Sequence, residues 1–140
     1  MKPKLLLRAE GLVVFLAAVA SFLAVDGRLW LLAVLALAPD LAMLGYLAGP
    51  RVGSRVYNAL HTYVGPALLG AFGVLAGPAL ATSIALVWAA HIGADRALGY
   101  GLKYSSGFQD THLDVLESPT SRPATYDDDA ALAAGTTGQK

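Results

Sequence analysis

Hydrophobic residues fall in four long runs along this chain, and polar or helix-breaking residues separate them. The first run covers residues 5–25 and stops at Asp26-Gly27. The second covers 29–47 and ends before Gly49-Pro50. The third covers 56–76 and ends before Gly77-Pro78, and the fourth covers 79–98 and is closed by Gly99. Gly and Pro are the residues expected at such turns. Each run is close to the roughly 20 residues that carry a helix across a bilayer. None shows the polar face that a helix of a soluble domain keeps toward water. Residues 56–94 contain no Asp, Glu, Lys or Arg at all. The pattern predicts an all-α fold: a transmembrane four-helix bundle within residues 1–104. A juxtamembrane segment, 105–117, should follow.

Beyond it the pattern changes. Residues 118–140 carry Pro119, Pro123, the acidic run Asp127-Asp128-Asp129 and then small residues. Such a stretch buries too little apolar area to offset the entropy of ordering, so a disordered C-terminal tail is expected.

Composition agrees with a membrane setting. Hydrophobic residues make up 56% of the chain and charged residues 14%, where soluble domains carry about 25% charged residues. The absence of Cys excludes disulfides and thiolate metal ligands. A net charge of zero argues against a nucleic-acid partner. The basic residues set an orientation. Lys2, Lys4, Arg8, Arg51, Arg55, Arg96, Lys103, Arg122 and Lys140 would share one side of the bilayer, and Arg28 alone would lie on the other. By the positive-inside rule, both termini should be cytoplasmic in an inner (plasma) membrane. A rival reading takes Lys2, Lys4 and Arg8, the apolar run and Ala18-Val19-Ala20 as a signal peptide. Glu10 and the continuation of the run past Ala20 speak against it.

Ionisable residues interrupt the apolar runs at one level. Counting helical rise from the cytoplasmic ends puts Asp40 and His91 about 10 Å deep, His61 and Glu10 about 8 Å, and Asp95 about 5 Å. An ionisable residue inside a membrane marks a functional site by default. His91 and Asp95 are spaced i, i+4 and share a face, as do Tyr57 and His61. Asn58 lies three residues before His61. Arg96 and Tyr100 would pair in the same way if the helix continues, and Glu10 should find a basic partner such as Arg96. Pro39 removes a backbone hydrogen bond beside Asp40, so a kink there should turn free carbonyls toward the polar layer. Pro66 should bend the third span similarly.

Three functions fit this layer. Asp40, His61, His91 and Asp95 form a donor set for a divalent metal, which could support metal-assisted hydrolysis. The same groups could form a structural polar network without catalysis. They could also relay protons or ions, although four spans line a path only as a homo-oligomer. The segment 99–104, rich in Gly, Tyr and charge, reads as an interfacial anchor or as a lid that brings His112 over the layer.

Several motifs occur in an order that resembles a known family. They are Leu7-Arg8-Ala9-Glu10-Gly11-Leu12, Ala38-Pro39-Asp40-Leu41, Gly49-Pro50-Arg51-Val52-Gly53, Tyr57-Asn58, His61-Thr62-Tyr63 and His91-Ile92-Gly93-Ala94-Asp95-Arg96. Over residues 5–113 the chain is similar to an uncharacterised bacterial integral membrane family, domain-of-unknown-function family 4260. The resemblance implies a small integral membrane protein and supplies no role for the polar residues. More loosely, Pro-Asp, His-Thr and His-x-x-x-Asp are similar in order to membrane-bound metal-dependent hydrolases.

Overall fold

The computed structural model describes residues 2–25, 27–106 and 111–115. The expected tail, 118–140, lies outside the described residues, as do Asp26 and parts of the 105–117 segment. Among the described residues there are six α-helices: α1 (Pro3–Ala24), α2 (Leu29–Leu35), α3 (Pro50–Leu60), α4 (Val64–Ala76), α5 (Ala79–Leu98) and the short α6 (His112–Val115). A 3-10 segment, Ala38–Ala48, joins α2 to α3. Among the described residues there is no strand, only an isolated bridge between Lys103 and Thr111.

Among the described residues, three stretches are long and apolar enough to cross a membrane: Pro3–Ala24, Leu29–Ala48 and Pro50–Ala76. Their surfaces are those of lipid-facing helices. Val13, Trp30, Val34, Leu68 and Leu75 are all more than half exposed, where a soluble protein would present polar groups. The fourth expected span, α5, has the length but is less apolar, because Thr82, Ser83, His91, Asp95 and Arg96 interrupt it. Its position explains how this is tolerated. It packs against α1, α4 and α2, so its polar groups face protein. Small residues let α1 approach it. A Cβ at Gly11 would collide with Arg96, and one at Gly93 would stand 2.7 Å from the Phe15 backbone nitrogen. Close backbone approach at small residues is how helices associate in lipid.

Two of the expected spans are not continuous helices. The second breaks between Leu35 and Ala38, then runs on as the 3-10 segment. Pro39 explains the break: it has no N–H to give. The Asp40 N–H turns instead to Leu37 O at 3.1 Å. In an uninterrupted α-helix it would have bonded Ala36 O, which is therefore released. The expected kink at Pro39 is present.

The third span starts earlier than expected, at Pro50 instead of residue 56, and it breaks at 61–63. Residues 50–55 contain Arg51 and Arg55, which stand exposed on α3 while Gly53, Ser54 and Tyr57 face inward. The amphipathic start is masked in the sequence by its two arginines. The break lies before Pro66, not at it. Pro66 occupies the first turn of α4, where its missing N–H has no helical partner to lose. The interruption is displaced onto the residues whose carbonyls would have been its acceptors. The 3-10 segment and α3 then pack together as a hairpin. Gly49 makes its turn, with a φ of 104° that favours glycine.

Candidate metal centre

The two breaks lie against α5, and side chains of α5 satisfy the carbonyls they release. The Trp88 indole N–H donates to Leu60 O at 2.7 Å. Arg96 donates through Nη2 to His61 O at 2.8 Å and through Nη1 to Tyr100 O at 2.7 Å. His91 Nδ1 meets Ala36 O. An unpaired backbone carbonyl in hydrocarbon costs several kcal/mol, so these donors are what permit irregular backbone at membrane depth.

The histidine contacts also determine where the imidazole protons sit. His61 Nδ1 lies 2.9 Å from Tyr57 O. A carbonyl only accepts, so both Nδ1 atoms must carry hydrogen and donate. In each neutral ring the lone pair is then on Nε2. Those two Nε2 atoms face each other at 3.2 Å. Two carboxylate oxygens join them. Asp40 Oδ1 is 3.6 Å from His61 Nε2 and 3.5 Å from His91 Nε2. Asp95 Oδ2 is 3.6 Å and 3.7 Å from the same two atoms. One ligand atom from each residue lies within 4.8 Å of all the others. Two imidazole lone pairs and two carboxyl oxygens thus converge on one point, an arrangement that could hold a positive charge at its centre.

The separations bear on what such a charge could be. A hydrogen bond between imidazole and carboxylate spans about 2.7–3.2 Å, and the His–Asp distances are longer. Donors about 2.0–2.2 Å from a shared tetrahedral metal stand roughly 3.3–3.6 Å from one another. Five of the six separations lie at 3.2–3.7 Å and the sixth within 4.8 Å, so the group could hold a metal ion that accepts imidazole and carboxylate together.

The surroundings hold the rings still. The Tyr57 ring stacks on His61 with centroids 3.7 Å apart and planes 9° from parallel. Its hydroxyl donates to Asp95 Oδ2 at 3.3 Å. Lys103 Nζ stands 4.8 Å from the centroid of Tyr57. His61 is fully buried, the side chains of His91 and Asp95 are 8% and 16% exposed, and Asp40 at 36% is the open side of the cluster. Metal-bound histidines ordinarily donate their second N–H to a carbonyl or carboxylate, which fixes ring and tautomer. Both histidines here are arranged that way.

Residues 4–116 match the family model described as a domain of unknown function, DUF4260. The chain belongs to this family. No curated protein and no solved structure matches it.

In this DUF4260 chain, four of the sequence-selected residues come together: Asp40, His61, His91 and Asp95. Glu10 does not join them. It lies exposed on α1, and Arg96 serves the carbonyls of His61 and Tyr100 in place of the expected Glu10 pair. The reason is rotation about α1: Gly11, the next residue, is the one pressed against Arg96. Tyr100 is exposed. It takes part through its carbonyl, because α5 ends at Leu98 and Gly99 adopts a φ of 102°.

Asn58 acts away from the cluster. Its Nδ2 donates to Lys103 O at 2.8 Å and its Oδ1 accepts from Lys103 N at 2.7 Å. This two-way pairing folds the segment after α5 back onto α3. His112 is not among the four clustered residues. Its Nδ1 accepts from Leu102 N at 2.8 Å. Arg8, one of the basic residues that set the orientation, also has a contact that the sequence does not signal. Its Nε donates to Ala97 O at 2.8 Å, where the carbonyls of the last helical turn need partners. Arg8 and Ala97 are far apart in the chain, and no local spacing signals the contact.

Proposed function

We propose that this protein is a multi-pass membrane protein of four spans that binds one divalent metal ion through Asp40, His61, His91 and Asp95. The carrying observation is the convergence of two bare Nε2 lone pairs and two carboxylates, with both Nδ1–H groups donated to backbone carbonyls. Asp40 comes from the 3-10 segment, His61 directly follows α3, and His91 and Asp95 come from α5, so the ion would tie these three parts together. The distribution of basic residues supports an inner-membrane location with both termini cytoplasmic and the cluster in the cytoplasmic half. The domain limits proposed are 1–104 for the transmembrane unit, 105–117 for the juxtamembrane segment and 118–140 for the tail.

The reaction class that suits the site is metal-assisted hydrolysis. A divalent ion held there would supply Lewis acidity, activating water and polarising an ester or phosphoester. Asp40, the most exposed ligand, stands where a substrate would enter. Tyr57 would hold Asp95 in place and keep His61 in its plane. A purely structural ion is the second reading. A complete set of four protein ligands favours it, since catalytic sites usually keep one position open.

Elemental analysis of detergent-purified protein tests the metal. About one ion per chain is expected, absent from His61→Ala and His91→Ala. A native protein that stays metal-free after add-back would end this reading. For the topology, a C-terminal reporter should be active only in the cytoplasm.

A further inference from the structure

A cleft of about 190 Å³ lies beside the cluster, lined by Leu35, Ala38, Pro39, Leu60, Ile84 and Trp88. Its walls come from the same turns as the ligands. Pro39 directly precedes Asp40, Leu60 directly precedes His61, and Trp88 is one helical turn before His91. The cleft lies where both spans break. Its lining offers nothing for a polar molecule to bind. The single polar side-chain group, the Trp88 N–H, is already donated to Leu60 O. Leu37 and Leu41, flanking Pro39 in the chain, are exposed apolar side chains, 68% and 65% accessible. An apolar pocket with convergent polar groups at one edge selects an amphipathic ligand.

We propose that this cleft seats the acyl chain of a membrane lipid, with the lipid's polar linkage lying at Asp40, His61, His91 and Asp95. The substrate class of the site is therefore lipid, not a water-soluble ester. The placement of the linkage rests on the metal reading above, whereas the chain seat rests on the cleft alone. The volume suits a flexible hydrocarbon segment and is too small for a partner helix, whose diameter with side chains is about 10 Å. The rest of the chain would continue past Leu37 and Leu41 into the bilayer.

The test uses the full chain in nanodiscs of anionic and zwitterionic phospholipid doped with a phospholipid carrying a diazirine on one acyl chain. After irradiation, labelled residues are mapped by mass spectrometry, and metal content is measured on the same samples. Labelling should concentrate on Leu35, Leu60 and Ile84, several-fold above lipid-facing Phe72 and Leu75. Ile84→Trp and Leu35→Phe, which fill the cleft from opposite walls, should each reduce cleft labelling about tenfold. Labelling of Leu75 and the metal content should not change. Uniform labelling of cleft and lipid-facing positions, or cleft labelling that both filled variants retain, overturns the proposal. Cleft labelling in a protein that binds no metal supports the chain seat and removes the metal reading. Metal binding without cleft labelling removes the lipid inference alone.

Discussion

His61 and His91 point their Nε2 atoms at each other across 3.2 Å, while each Nδ1 is held by a backbone carbonyl from another turn. Neither ring can turn to relieve the contact without abandoning its carbonyl. A cation between the two rings would relieve the opposition of their lone pairs and hold the pair together. Chelation should therefore loosen α3 from α5. In detergent, chelator-treated protein should unfold at lower temperature than the metal-loaded form, and add-back should restore it. Binding to the native state alone stabilises by about 2.7 kcal/mol when free ligand is a hundredfold above its dissociation constant. An unchanged melting temperature after verified metal removal would count against the site.

Tyr57 touches two of the proposed ligands in two different ways, and substitution can separate them. Tyr57→Phe keeps the ring on His61 and removes the hydroxyl that donates to Asp95. Loss of such an outer partner typically weakens metal affinity 10- to 100-fold. Tyr57→Leu removes the stack as well and should weaken binding further. Competition with a chromogenic chelator gives both affinities. Equal affinity in native protein and Tyr57→Phe would show that the hydroxyl is incidental.

Trp88→Phe should destabilise the protein without removing metal. The ring volume is largely kept, but Leu60 O loses its donor. A buried polar group left without its partner costs about 1–3 kcal/mol. Reversible unfolding in mixed detergent micelles measures the difference. Metal content serves as the control, since Trp88 is not a ligand.

How much of this was readable before the fold was known differs from residue to residue. The apolar runs announced the helices, and the i, i+4 spacing of His91 and Asp95 put them on one face. Pro39 signalled its own break, because a missing N–H acts locally. The second break was harder to place. Pro66 sits comfortably in a first helical turn and transfers its effect to residues 61–63. Depth along a helix says nothing of rotation about it, so the sequence does not show that Glu10 lies exposed on α1. The Gly11–Gly93 crossing and the Arg8–Ala97 bond join residues that local spacing cannot relate. The Asn58–Lys103 pairing is equally non-local.

Gly93→Ala tests the closest of these crossings. The added methyl would stand 2.7 Å from the Phe15 backbone nitrogen and 2.9 Å from Gly11 O. Backbone cannot yield as a flexible side chain does, so α1 must shift outward. Overpacking of this kind typically costs about 1–3 kcal/mol. A larger side chain, as in Gly93→Leu, should prevent α1 from docking. Gly49→Ala is the contrasting control. Nothing lies within 4 Å of the added atom there, so any loss comes from its positive φ alone. Micelle unfolding should rank Gly93→Leu as the most destabilised, and a neutral Gly93→Ala would mean that α1 and α5 are not held this closely.

Asn58 separates a lid from a passive anchor. Its side chain pairs with both the N–H and the C=O of Lys103, and so it fastens the segment after α5 over Tyr57. Asn58→Ala removes both bonds. Asn58→Asp keeps an acceptor for Lys103 N–H and loses the donor to Lys103 O. Hydrogen exchange at the Lys103 amide should quicken strongly in Asn58→Ala and less in Asn58→Asp. Exchange at helix-interior amides of α5, such as Ala90, should stay as slow as in the native protein. If the segment is a lid over the cluster, opening it should also raise the rate of metal removal by a bulky chelator, with Asn58→Ala faster than native at equal chelator concentration. An exchange effect at Lys103 with an unaltered metal off-rate would leave the segment an anchor. The access route to the ion would then be the Asp40 side, where the exposure of the cluster is greatest.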